Sequence, residues 1–254
     1  MLGRIAVIGL GPGRSDQVTP EAAAALAEAA ELFGYGPYLD RVPLRPGQAR
    51  HASDNRRELE RAGAALDRAA SGASVAMVSG GDPGVFAMAA AVCEAIEAGP
   101  AAWRTVDLVV VPGVTAALAL AARLGAPLGN DFCLLSLSDN LKPWGTIERR
   151  LAAAAGAGFV IGIYNPISQG RPWQLGRAFA VLDEHLPAGT PVAFGRAVGR
   201  DGERVIVTRL GEADPAKADM ATCIIVGSPS TRLVQRPDLP PLVYTPRSVR
   251  EASA

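Results

Sequence analysis

The residues of this chain best suited to chemistry lie between Ser74 and Ala91. There Ser-Val-Ala-Met-Val-Ser runs into Gly80-Gly81-Asp82-Pro83-Gly84 and then into an alanine-rich stretch. The apolar, β-branched start predicts a strand, the glycines a turn and the alanines a helix. Asp82 suits the cap of that helix and Pro83 its first position: a carboxylate accepts the free first-turn amides, and proline has no amide to leave unpaired. Two adjacent residues without Cβ at the carboxyl end of a buried strand also let backbone come close to a ligand. We read them as a small-molecule loop rather than as a merely tight turn.

Metal and thiol chemistry find little to build on. Cys93, Cys133 and Cys223 are widely spaced, and His51 and His185 are isolated. This spacing predicts neither a disulfide framework nor a metal site, and it suits a reducing, cytoplasmic compartment. His51 and His185 read as structural residues, the latter near a helix end before Pro187. A nicotinamide-dependent oxidoreductase is a rival reading of Gly9-Leu10-Gly11-Pro12-Gly13. However, the third glycine of the dinucleotide fingerprint would fall at Arg14, and the next helix starts only at Thr19-Pro20. A phosphate-cradling loop needs a Gly-Lys pair, which the sequence lacks. A non-catalytic nucleotide-binding module is the other rival.

With 254 residues, 25 basic and 25 acidic, the chain can bury a large core and has no net charge to attract nucleic acid or an anionic membrane. It also lacks the roughly 18 to 20 consecutive apolar residues of a membrane span. A small-molecule partner is expected. Lys142 and Lys217 are the only lysines beside many arginines.

Around these residues the pattern predicts an α/β protein. Strands are expected at Arg4–Ile8, from Ser74, at Val106–Val111, Phe132–Leu137 and Phe159–Tyr164, and over Met220–Gly227. Residues 34–52 read as a loop, and Ser53-Asp54-Asn55 as the cap of the helix after it. Gly199-Arg200-Asp201-Gly202 between two apolar runs is a hairpin signal. The first part is therefore expected to form a mostly parallel, helix-flanked sheet and the second a mixed sheet. The expected domains are 1–118 and 119–234, followed by an extended or disordered tail over 235–254, where Pro237, Pro240, Pro241 and Pro246 cluster.

Taken in order, Gly9-Leu10-Gly11-Pro12-Gly13, Gly80-Gly81-Asp82-Pro83, Pro112-Gly113-Val114-Thr115-Ala116 and the strand Ile224-Ile225-Val226-Gly227 resemble the tetrapyrrole methylase family, class III S-adenosylmethionine-dependent methyltransferases. The resemblance covers about residues 3–230. Ser136-Leu137-Ser138-Asp139 through Trp144, Tyr164-Asn165-Pro166-Ile167-Ser168 with Arg171 and Trp173-Gln174, and Gly195-Arg196 are similar to the branch that methylates a precorrin at ring carbon 17 with ring contraction, in cobalamin biosynthesis. One departure is Gly227-Ser228-Pro229, where members often carry Gly-Asn-Ser. A member acting at another carbon or on a cobalt-loaded precorrin is the nearest alternative.

The resemblance implies two α/β domains with the cofactor, S-adenosyl-L-methionine, in the cleft between them, a tetrapyrrole substrate, no metal of the protein's own, and a homodimer. It assigns the cofactor to Pro12, Gly80, Gly81, Asp82, Val85, Thr115, Ala116, Tyr164, Ala197 and Thr222. Ring contraction moves protons, for which Asp82, Ser138 and Asp139 are candidates. Such a substrate bears many carboxylates, and Arg171, Arg196 and Arg200 are the guanidinium groups expected to meet them.

Overall fold

The computed structural model describes residues 3–54, 57–168 and 170–248. The chain divides between Thr115 and Ala116. The division precedes the helix Ala116–Leu124, which a boundary at 118 would cut.

In the first unit the elements are β1 (Arg4–Gly9), α1 (Pro20–Glu28), β2 (Glu31–Tyr35), α2 (Gly36–Leu39), β3 (Ala49–Ser53), α3 (Glu58–Ala70), β4 (Ser74–Ser79), α4 (Met88–Ala98) and β5 (Asp107–Val111). All strands run parallel, in the order β3-β2-β4-β1-β5. Alternation along β1 explains why both faces are covered. Ile5 and Val7 pack with α3 and α4 on one face, whereas Ala6 and Ile8 pack with Ala22 and Leu26 of α1 on the other. The connections after the neighbouring strands β1 and β4 thus leave to opposite faces. In an open parallel sheet that switch point opens a crevice at the carboxyl ends of the strands.

The second unit holds α5 (Ala116–Leu124), β6 (Gly125–Ala126), β7 (Phe132–Ser136), α6 (Trp144–Gly156), β8 (Val160–Tyr164), α7 (Gln174–Asp183), β9 (Pro191–Arg196), β10 (Arg204–Arg209), β11 (Thr222–Val226), β12 (Arg232–Arg236) and β13 (Leu239–Tyr244). Its main sheet, β10-β9-β11-β8-β7, is parallel only between β7 and β8. Leu151, Ile161, Leu175, Phe179, Phe194 and Ile224 form its core with α6 and α7.

Three expectations need correction. Residues 34–52 are not one loop: they contain the end of β2, α2 and most of β3. Ala49-Arg50-His51-Ala52-Ser53 has no apolar alternation because β3 is an edge strand, held by its ladder to β2 and by Arg50, which donates to the carbonyls of Leu39 and Val42 at 2.9 Å each. Nor do Ser53 and Asp54 cap α3. Its N-cap is Arg57, while the Ser53 hydroxyl accepts from Arg61 at 2.7 Å; Asn55 lies outside the described residues. Finally, residues 235–244 do not trail away. β12 and β13 pair as a hairpin turned at Asp238 (φ 58°), and β13 adds parallel to β6. Proline is tolerated there because Pro240 and Pro241 stand in a small sheet with few ladder bonds to lose. The hairpin is anchored by Thr245, which donates to the Pro127 carbonyl at 2.6 Å and bonds Thr231 at 2.8 Å, both threonines being buried.

His51 proves structural. Its ring stacks on Phe33 and bonds Glu31 at 3.0 Å, and Arg68 donates to the same carboxylate at 2.8 Å. The Arg68 hydrogen bond outweighs burial and holds the Glu31 carboxyl below its ordinary value of 4.5. A depressed folded-state value stabilises the fold above the unfolded-state value and ceases to do so as pH falls through the folded one. Glu31→Gln should therefore lower the melting temperature at pH 7 by about 2–4 °C. The gap to wild type should narrow progressively below about pH 4.5 in a pH series of thermal melts.

Candidate active site

The loops after β1, β4 and β5 cross one another at the switch point. Gly11 and Gly81, both at positive φ (64° and 65°), exchange two backbone hydrogen bonds of 3.1 and 2.9 Å. At Gly113 a Cβ would stand 2.3 Å from the Gly81 carbonyl oxygen and 3.0 Å from the Gly9 Cα, so that crossing admits only glycine. Asp82 ties two of these loops together: one oxygen accepts from the Gly84 amide at 2.8 Å and the other from the Gly113 amide at 3.1 Å.

Asp82 is thus not a helix cap. Residues 83–87 form a further turn, and α4 begins at Met88 behind Ala87, with no side-chain cap. The carboxylate has a nearer pair of amides to satisfy, and Phe86 takes a left-handed φ of 52° that interrupts the helix. Val85 and Pro12 are partly exposed on this rim, and Thr115 is buried just before α5.

Sequence reasoning missed Arg41. Its Nη2 donates to the carbonyls of Leu10 at 2.7 Å and Gly11 at 3.0 Å, which fixes the loop carrying Pro12. Nothing in the residues around Arg41 signals this, because the bond crosses 30 residues of chain. Removing such a brace costs about 1–2 kcal/mol of loop order. Arg41→Met should therefore lower the melting temperature by about 2–8 °C, read by thermal denaturation.

In the second unit the carboxyl ends of β7, β8 and β9 share an edge with the start of β11, since Ser136 pairs with Tyr164 and Arg196 with Thr222. Most of the residues singled out there gather along that edge. The Tyr164 hydroxyl accepts from the Ala117 amide in the first turn of α5 at 2.9 Å. Asn165 (φ 50°) donates to Ser136 at 2.9 Å. Ala197, also left-handed at 48°, is buried and donates its amide to Ala221. Non-glycine residues in that region cost of order 1 kcal/mol or more and persist where the surroundings enforce them, often at ligand sites.

Two arginine clusters mark the same edge. Arg171 pairs with Asp139 at 2.6 Å. Arg196 pairs with Asp219 at 2.7 Å, and the other Asp219 oxygen accepts from the Thr222 hydroxyl at 2.8 Å. Burial raises the Asp219 value, but the Thr222 hydroxyl and Arg196 outweigh it and leave the carboxyl below the usual range. Asp219 was not expected from the sequence, although Asp-x-x-Thr before a strand is a legible local bonding pattern. Arg200 stands exposed in the β9–β10 turn, with no side-chain partner among the described residues.

Burial pushes the Cys223 thiol up to about 12, so it carries no thiolate at neutral pH. Among the described residues no group of three or more His, Cys, Asp or Glu could hold a metal ion, and no helix is long and apolar enough to cross a membrane.

The family model described as Tetrapyrrole (Corrin/Porphyrin) Methylases matches residues 4–214. The chain belongs to this family. A Sinorhizobium relative named precorrin-3B C(17)-methyltransferase is 65% identical over 253 residues, covering 100% of both chains. The cobalamin biosynthesis protein CobIJ of Mycobacterium tuberculosis is 48% identical, over 99% of this methylase but 49% of that longer protein. Among solved structures, the methyltransferase CobJ is 49% identical with a TM-score of 0.91, covering 96% of this chain and 100% of that one. The helix-flanked parallel sheet and the mixed sheet are thus those of a tetrapyrrole methylase.

Proposed function

We propose that this protein transfers a methyl group from S-adenosyl-L-methionine to carbon 17 of precorrin-3B, with ring contraction to precorrin-4, in cobalamin biosynthesis. The observation that carries the reading is the full-length 65% identity to the Sinorhizobium enzyme of that name.

The cofactor fits the residues present. Its cradle offers glycine backbone and small side chains instead of a phosphate loop, which suits a ligand without phosphate. In our reading Pro12, Gly80, Gly81, Asp82, Val85, Thr115, Ala116, Tyr164, Ala197 and Thr222 are the residues that hold it. When bound, the sulfonium supplies an already activated methyl, so the protein's task is placement of the reacting atoms. The Gly11–Gly81 crossing holds the two loops to each other and so fixes the backbone that would place those atoms. Arg171, Arg196 and Arg200 meet substrate carboxylates. Asp82 is engaged at both oxygens and Asp139 by Arg171, which argues for bracing rather than proton transfer; Ser138 stays a candidate for the latter.

The chain is further proposed to act as a cytoplasmic homodimer without nucleic-acid partners. Three free cysteines suit that compartment and zero net charge gives nucleic acid no basic face, while light scattering tests the dimer. The decisive assay incubates the purified protein with precorrin-3B and methyl-labelled S-adenosylmethionine. Label in a ring-contracted product is expected. Transfer only to a cobalt-loaded precorrin would move the enzyme to the neighbouring reaction, and no transfer to either would overturn the reading.

A further inference from the structure

Among the polar groups along the edge of the second sheet, the cluster around Arg171 is the most constructed. Two loops build it. The segment after β7 contributes Ser138 and Asp139, and the segment after β8 contributes Arg171 with Gln174, the first residue of α7. The Arg171 backbone is pinned by reciprocal hydrogen bonds to Ser168, of 3.2 and 3.0 Å. Its Nη1 donates to Asp139 at 2.6 Å and lies 3.4 Å from the Ser138 hydroxyl, whereas the second Asp139 oxygen faces the Gln174 amide nitrogen at 3.5 Å.

This is more than a surface ion pair. Both charged side chains are about three-quarters covered, at 25% and 23% exposure, and Gln174 is 1% exposed. A carboxylate gripped from a second loop restrains the guanidinium and removes the rotamer entropy that an exposed arginine would lose on binding an anion. Among the described residues only its Nη1 is engaged, so Nε and Nη2 retain their N–H groups for a further acceptor. In the same loop Trp173 is half exposed and packs edge-on against Trp144, with ring centroids 4.7 Å apart. A restrained guanidinium in a loop that also carries a half-exposed indole suits a carboxylate on the rim of a planar macrocycle.

We propose that Asp139 is a positioning residue, which presents the Arg171 guanidinium to one peripheral carboxylate of the tetrapyrrole. This rests on the methylase reading above and adds to it which charge of the substrate is recognised and by what pair. Arg171 hydrogen-bonds Asp139 strongly enough to outweigh burial and keep its carboxyl below the usual range. The carboxylate form that holds the arginine is therefore the one present at neutral pH, and it has no proton to give.

The test uses the full chain with uroporphyrin III, a stable octacarboxylic macrocycle, and its octamethyl ester, titrated by fluorescence quenching. Calorimetry with S-adenosylhomocysteine serves as the control. Wild type should bind the acid in preference to the ester. Arg171→Gln and Asp139→Asn should each weaken acid binding about 10- to 100-fold while leaving the ester and S-adenosylhomocysteine unchanged. Adding Asp139→Asn to Arg171→Gln should cost no more than about twofold further, because one acts through the other. In turnover, KM should rise with little change in kcat. Should Asp139→Asn fail to fold, Arg171→Lys keeps the charge but not the fork and should still lose the preference for acid over ester. Unchanged acid binding in Arg171→Gln, fully additive losses, or a kcat loss with a shifted pH profile in Asp139→Asn would each overturn the inference. Wild type that binds neither compound and transfers no methyl would instead overturn the methylase reading on which it rests.

Discussion

Gly113→Ala is expected to bind S-adenosylhomocysteine about 30- to 150-fold more weakly than wild type, the equivalent of 2–3 kcal/mol of displaced backbone. The added Cβ would lie 2.3 Å from the Gly81 carbonyl oxygen and 3.0 Å from the Gly9 Cα, and backbone atoms cannot rotate aside as a flexible side chain can. Relief has to come from parting the β4 and β5 loops. That movement strains the Gly11–Gly81 pair, because Gly81 donates and accepts there, and it stretches the bond from the Gly113 amide to Asp82. The natural control is Gly145→Ala in α6, where a Cβ meets nothing within 4 Å. It should bind normally and melt no lower than wild type, since alanine is the better helix former. A folded Gly113→Ala protein with wild-type affinity in calorimetry would mean that the cofactor is held elsewhere.

The same crossing shows what the sequence could and could not reveal. Strand, glycine turn and helix were legible between Ser74 and Ala91 because burial imposes period and the turn imposes glycine. The partner of Asp82 was not, since the Gly113 amide is 31 residues away and local rules offered the helix start instead. Tertiary pairing also hid β3 and β13. Ala49–Ser53 is polar because it is an edge, and the prolines before Val243 read as breakers although the hairpin tolerates them. The residues proposed for the cofactor rest only on the order of several glycine motifs, since small side chains and backbone carry no chemistry that composition can signal. Arg171 and Asp139 were singled out for different roles, and their 2.6 Å contact is what joins them.

Asp82→Asn separates a brace from a proton carrier. In the wild type each carboxylate oxygen accepts one backbone amide, from Gly84 and from Gly113. An asparagine keeps one acceptor and must turn an NH2 toward the other amide, leaving two donors face to face. Losing one charge-assisted bond and creating that conflict costs about 1.5–3 kcal/mol, so S-adenosylhomocysteine affinity should fall about 10- to 150-fold. The pH dependence of kcat at saturating cofactor should keep its shape, because a residue that only braces the loops takes no part in proton transfer. Wild-type cofactor affinity combined with a collapsed kcat, and the loss of one limb of the pH profile, would assign Asp82 to the proton movements of ring contraction. The bonds to two amides on two loops argue for the first outcome: an acid that donates to substrate would have to release the Gly113 amide at the moment the loop must be most firmly held.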